Sequence, residues 1–286
     1  MTATIAPAAT ARDTGALRGY WRTFAALLAR DLRVMRRHLL SFTARTVVQP
    51  VLNIFVFAVV LPSIGFGAGQ AFAAGGQGQS FATILVPGLV ASGIVIQGIF
   101  AVTTPLIMEL SYTREIDDRV LAPVPVWTVG VEKIAFGAVQ GLAAGLVVFP
   151  AVLLIHGPGE APRVDFGNWP LLVAVLVLSS LLTSCLGLLI GTLLPPHQLS
   201  TVFAIFIVPM MMLGCVYYPW ATLEPIRWLQ VGVLVNPLVY VSEALRAALT
   251  PTVPHMSLAA VLAVLAVGTL VTGGLALWSF KRRLVG

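Results

Sequence analysis

The side chains best able to do chemistry are gathered in one run. Between Glu109 and Pro125, in MELSYTREIDDRVLAPVP, stand Glu109, Arg114, Glu115, Asp117, Asp118 and Arg119. Tyr112, Ile116 and Val120 recur at i, i+4 and i+8, which is one apolar stripe of a short helix. Arg114 with Asp118 and Glu115 with Arg119 are i, i+4 pairs of opposite charge, each worth a few tenths of a kcal/mol on an exposed helix. Pro123 and Pro125 end it. Such a helix can dock on a partner through its charged side, or it can be a solvated turn. Spacing alone leaves both readings open. The adjacent Asp117 and Asp118 resemble the acidic metal motifs of membrane transferases, but no second acidic cluster supports a metal.

Other chemistry finds little support. Of the two lysines, Lys133 sits in GVEKIAF and Lys281 in WSFKRRL. Neither follows a glycine-rich turn or precedes Ser or Thr, so the chain has no phosphate-cradling loop and is not expected to hydrolyse ATP by that route. His38, His156, His197 and His255 are scattered, with no i, i+3 or i, i+4 ligand pair. Cys185 and Cys215 lie in apolar segments and give no disulfide framework. No nucleophile-elbow motif is present. The deep parts of the apolar segments lack Asp and Glu, whereas ion-coupled pumps usually place an ionisable group there. Glu132 and Lys133 come nearest, beside an expected entrance and in reach of each other.

The elements that must hold the charged run are apolar helices. Of 286 residues 58% are hydrophobic and 10% charged, against about 25% charged in soluble domains. The chain is expected to be an all-α integral membrane protein. Six stretches are long enough for about 20 apolar residues each: about Phe42–Leu61, Thr83–Met108, Trp127–Ile155, Trp169–Leu194, Leu199–Tyr218 and Ser257–Phe280. Arg45 can snorkel from the start of the first. Residues 1–16 are Ala/Thr-rich and expected to be a disordered tail without a cleavable signal peptide. Residues 17–38 alternate Leu17, Tyr20, Trp21, Phe24, Leu27, Leu28, Leu32 and Met35 with six arginines, the pattern of an amphipathic helix lying in the interface of an anionic leaflet. Residues 39–286 form the transmembrane domain.

The net charge of +6 reports orientation better than nucleic-acid binding. Arginines crowd the N-terminal arm, Arg114, Arg119 and Lys133 lie in or after the charged run, and Lys281, Arg282 and Arg283 end the chain. On the opposite side the Gly-rich loop SIGFGAGQAFAAGGQGQ has no Lys or Arg, HGPGEAPRVDFGN has Arg163 alone, and the stretch before the last span has Arg227 and Arg246. Both termini and the charged run are therefore expected in the cytoplasm. Five of the six Trp fall at expected boundaries, as an aromatic belt would have them. Before the last span, LEPIRWLQVGVLVNPLVYVSEALRAAL is too broken for one span and too apolar for a plain loop. It reads as two short helices that dip into the outer leaflet and return, joined at Asn236–Pro237, with Glu243 and Arg246 at i, i+3 able to pair. Helices that merely cap the bundle are the plainer reading. Gly137, Gly141 and Gly145, with Gly187 and Gly191, allow close helix approach, within a bundle or between copies.

The order of these parts resembles the membrane subunit of type-2 ABC exporters, the group with daunorubicin-resistance permeases and polysaccharide exporters. The resemblance rests on ALLARDLRVMRRH, on Gln-Pro inside RTVVQPVLNIFVFAVVL, on MELSYTREIDDRVLAPVP and on NPLVYVSEALRAAL, and it covers nearly the whole chain. It implies a half-transporter: two permease copies, homodimeric or with a close paralogue, and two ATPase subunits that bind ATP and Mg, with no cofactor in this chain. Glu109, Tyr112, Arg114, Glu115, Ile116, Asp117, Asp118 and Arg119 would form the ATPase-coupling helix. Asn236, Pro237, Tyr240, Glu243 and Arg246 would belong to the outer re-entrant gate. The expected function is ATP-driven export of a hydrophobic or amphipathic compound across a bacterial inner membrane. Export of a lipid-linked glycan, a scaffold or channel without transport, and a membrane enzyme are the alternatives.

Overall fold

The computed structural model describes residues 13–37, 39–60, 81–110, 125–154 and 162–285. The first twelve residues of the tail, the Gly-rich loop and His156 lie outside them, as do Tyr112, Arg114, Glu115, Ile116, Asp117, Asp118 and Arg119. The side chain of Arg45 is likewise outside the description.

Helix α1 (Asp13–Arg37) begins before the expected Leu17. Its Phe24, Leu27, Leu28, Leu32 and Met35 are half-buried, while Arg33, Arg36 and Arg37 face out. The apolar stripe thus turns toward protein, where α1 packs on α2 and α4. Helix α2 (Leu39–Ile54) contains Pro50, which removes a ladder hydrogen bond, and it passes into a π-helical stretch, Phe55–Val60.

Three long helices make the centre: α3 (Phe81–Met108), α4 (Val126–Leu154) and α5 (Trp169–Leu193). All three pack on one another. Helix α3 is the post, with 83% of its most apolar window buried. Lipid tails are as apolar as leucine, so helices in a bilayer associate through close packing and interhelical hydrogen bonds. Both are present. A Cβ on Gly187 would stand 2.6 Å from the Ile99 carbonyl oxygen, and one on Gly137 would stand 2.9 Å from Ser184 Oγ. The glycine stripes therefore serve packing within the chain. Thr103 Oγ1 donates to the Gly187 carbonyl (2.9 Å), and Gln97 Nε2 donates to Thr46 Oγ1 on α2 (2.9 Å).

The expected fifth span, Leu199–Tyr218, is the one that differs. It is a mixed segment ending at Met212: a 3-10 turn, helix α6 (Leu199–Val202), a π-helical turn (Phe203–Ile207) and helix α7 (Val208–Met212). Beyond it the backbone leaves the helix, and Cys215 has φ 53°. The reason is tertiary. Ser242 Oγ donates to the Gly214 carbonyl (2.9 Å) and Arg246 Nη2 to the Cys215 carbonyl (3.0 Å), oxygens that a continuing helix would have used itself.

Helix α8 (Arg227–Gly232), the 3-10 turn Val233–Val235 and helix α9 (Pro237–Leu249) follow. The α8 and α9 arms meet at 99°. Helix α10 (Leu258–Val285) closes the chain, lying mainly on α5 and α9. Among the described residues five helices are long and apolar enough to cross a membrane, six if the bent pair counts as one span. The chain is an all-α integral membrane protein.

Candidate functional site

Among the described residues, two clusters of charge and an apolar groove could carry function. The first cluster lies at the bend between α8 and α9. Asn236 caps α9: its side chain accepts from Leu238 N (2.9 Å), and Pro237 occupies the first turn, where its missing N–H costs nothing. The Asn236 amide also donates to the Met210 carbonyl (2.7 Å), which fixes the bend against α7. Tyr240 Oη donates to the Leu234 carbonyl across the bend (2.9 Å). One turn on, Glu243 and Arg246 pair with both side chains 0% exposed. Glu243 Oε1 also accepts from Trp220 N (3.0 Å), and Oε2 accepts from Met256 N (2.9 Å). A buried charge is tolerated when paired and hydrogen-bonded. This carboxylate meets that condition with three donors, and so pins the loop after α7 and the approach to α10 onto α9.

The second cluster lies at the opposite ends of the long helices. Glu109 follows the last residue of α3 and opens the charged run. Lys133 Nζ, on the first turns of α4, donates to Glu109 Oε1 at 2.7 Å and lies 3.8 Å from Asp31 Oδ2 on α1. The Lys133 side chain is 5% exposed, Glu109 13% and Asp31 12%. Neighbours on a helix do not face each other, so Lys133 turns from the adjoining Glu132 register toward α1 and the end of α3. Arg30 pairs with Asp31 at 3.0 Å. Partial burial works against the Arg30 charge, but the Asp31 hydrogen bond and the carboxylates of Asp31, Glu109 and Glu132 outweigh it and raise its pKa. Glu132 is fully buried within the same field.

The groove encloses about 500 Å³. Its walls are Ile99 of α3, Leu186 and Ile190 of α5, Phe206 and Met210 of the mixed segment, and Val235 beside the bend. Asn236 is the polar side chain in the wall, and its amide is already engaged with Met210.

Of the residues singled out from sequence, the structure brings Asn236, Pro237, Tyr240, Glu243 and Arg246 together at one bend. Of the charged run it describes Glu109 alone among the named residues. Sequence reasoning missed Asp31 and the reach of Lys133. A lone lysine among apolar residues needs an acid partner, and Asp31 and Glu109 are the acids at matching helix ends. Among the described residues no three His, Cys, Asp or Glu side chains converge as a metal would require.

An all-helical bundle with a sharply bent apolar helix pair before its last span, and a charged run leaving the end of α3, defines a polytopic permease. The chain belongs to the ABC-2 type transporter family, whose pattern matches residues 22–250. It is 26% identical over 229 residues to the inner membrane transport permease YadH of Escherichia coli K12, covering 79% of this chain and 82% of that one. The proteins of the same name from Escherichia coli O157:H7 and Shigella flexneri match to the same degree. No solved structure matches.

Proposed function

We propose that this chain is the permease half of an ATP-driven exporter. Two copies form the pathway, and separate ATPase subunits dock on the run from Glu109 to Leu121. The observation that carries the reading is family membership across residues 22–250, with the charged run leaving the end of the central post α3. In this reading both termini and the charged run are cytoplasmic, α1 lies in the inner interface, and the α8–α9 bend closes the outer side. Arg114, Glu115, Asp117, Asp118 and Arg119 are the polar contacts to the ATPase. Closure of the ATP-loaded partners brings the two runs together and shifts the bundles. The apolar groove supports a hydrophobic or amphipathic cargo over a glycan, because a sugar needs hydrogen-bonding groups that its wall does not offer.

The test is co-purification with the neighbouring ATPase, then ATP turnover in lipid nanodiscs. Glu115→Lys with Asp118→Lys places like charges where opposite ones docked. It should weaken ATPase binding on the order of tenfold or more while leaving insertion intact. Unchanged binding and turnover in this variant would sink the assignment.

A further inference from the structure

We propose that Lys133 is a positioning residue for energy coupling: one ammonium that makes the start of the charged run, helix α1 and helix α4 move together. The proposal rests on the ATP-driven reading above. It starts from geometry. Lys133 Nζ is 2.7 Å from Glu109 Oε1 and 3.8 Å from Asp31 Oδ2, so one side chain on α4 reaches acids on two other elements. An ammonium suits this place because its three donors rotate freely, whereas a planar guanidinium favours one bidentate partner. The Lys133 side chain is 5% exposed, so water screens these contacts weakly.

Position gives the contacts their leverage. Glu109 stands at the junction of α3 and the run to which the ATPase is proposed to bind, so any displacement of that run acts on Glu109 first. Its bond to Lys133 passes the displacement to α4, which packs along α3 and α5 over most of its length. The contact to Asp31 passes it to α1, which also packs there through half-buried apolar side chains. Arg30 holds Asp31 from the far side, with Nη2 and Nε both 3.0 Å from Oδ1. Asp31 thus keeps one oxygen for α1 and turns the other toward Lys133.

The experiment uses the full chain with its ATPase in nanodiscs. Spin labels are placed at Val34→Cys on α1 and Arg282→Cys near the end of α10, both exposed positions, with the native Cys185 and Cys215 buried. Distances are read by pulsed dipolar spectroscopy in the nucleotide-free and the ATP–vanadate-trapped states, beside ATP turnover. The unmodified complex should show an α1 displacement on trapping. Lys133→Met should keep the ATPase bound, lose at least half of that displacement and change turnover by about 2- to 30-fold. Lys133→Arg, which retains the charge but favours one acid, should restore part of both. If Lys133→Met yields no complex, Asp31→Asn removes the same α1 contact and must reproduce the lost displacement. A displacement unchanged in Lys133→Met, or in Asp31→Asn where that variant decides, overturns the role of Lys133. No displacement in the unmodified complex instead overturns the ATP-driven reading on which it rests.

Discussion

The two ends of the bundle both bury charge, and they do it differently. At the bend, Glu243 and Arg246 come from one helix, are 0% exposed, and each also binds backbone groups of neighbouring segments. At the other end Asp31, Glu109 and Lys133 come from α1, the end of α3 and α4, remain 5–13% exposed, and share one ammonium between two acids. A fully buried pair inside one helix, each partner also held by backbone groups, has little to exchange and acts as a fixed joint. A shared ammonium can pass from one acid to the other without leaving its shelter, which suits an end that must answer to a partner.

The sharpest way to break this comparison is Arg246→Met. It leaves the Glu243 carboxylate buried without its counter-charge and should cost about 3–5 kcal/mol, read as loss of monodisperse protein in detergent. The double change Glu243→Gln, Arg246→Met should recover most of that loss, since no charge then remains buried. A mild phenotype for Arg246→Met alone would mean that the hairpin end is no more fixed than the other. Next in size is Asn236→Ala. It removes the α9 cap and the bond to Met210 and should cost about 1 kcal/mol or somewhat more, seen as a lower thermal midpoint. Arg30→Gln removes a half-exposed pair and should cost under about 1 kcal/mol. Salt sharpens the contrast without mutation. Raising ionic strength from about 0.1 M to 1 M shortens the screening length from about 10 to 3 Å. The half-exposed Arg30–Asp31 contact should then weaken while Glu243–Arg246 holds, read as the mobility of labels beside each pair, and equal responses would erase the distinction between the ends.

The long helices were legible because each carries enough consecutive apolar residues to declare itself. Trp127 and Trp169 mark starts within a residue of Val126 and Trp169 in the structure. The end of the fifth segment was not legible. Residues 213–218 are as apolar as a span, and they leave the helix only because Ser242 and Arg246 capture the Gly214 and Cys215 carbonyls from across the fold. The pairing of Glu243 with Arg246 could be read from i, i+3 spacing, but the backbone donors at Trp220 and Met256 could not. The partners of Lys133 were not legible for a related reason. Its neighbour Glu132 was the acid visible in sequence, while Asp31 and Glu109 reach it only when three helix ends meet.

Helix α10 carries one more consequence. Its uncharged apolar stretch, Leu258–Phe280, spans about 35 Å at 1.5 Å per residue, against a hydrocarbon layer of about 30 Å. With 17% of its most apolar window buried in the chain, most of its surface answers to whatever surrounds it. A helix in that position accommodates a thicker or thinner bilayer by changing its tilt. Its last turn is not free to swing alone, because the Arg283 guanidinium donates to the carbonyls of Thr192 and Leu194 at the end of α5. Membrane thickness therefore acts on this permease as a lever on α5, one wall of the groove.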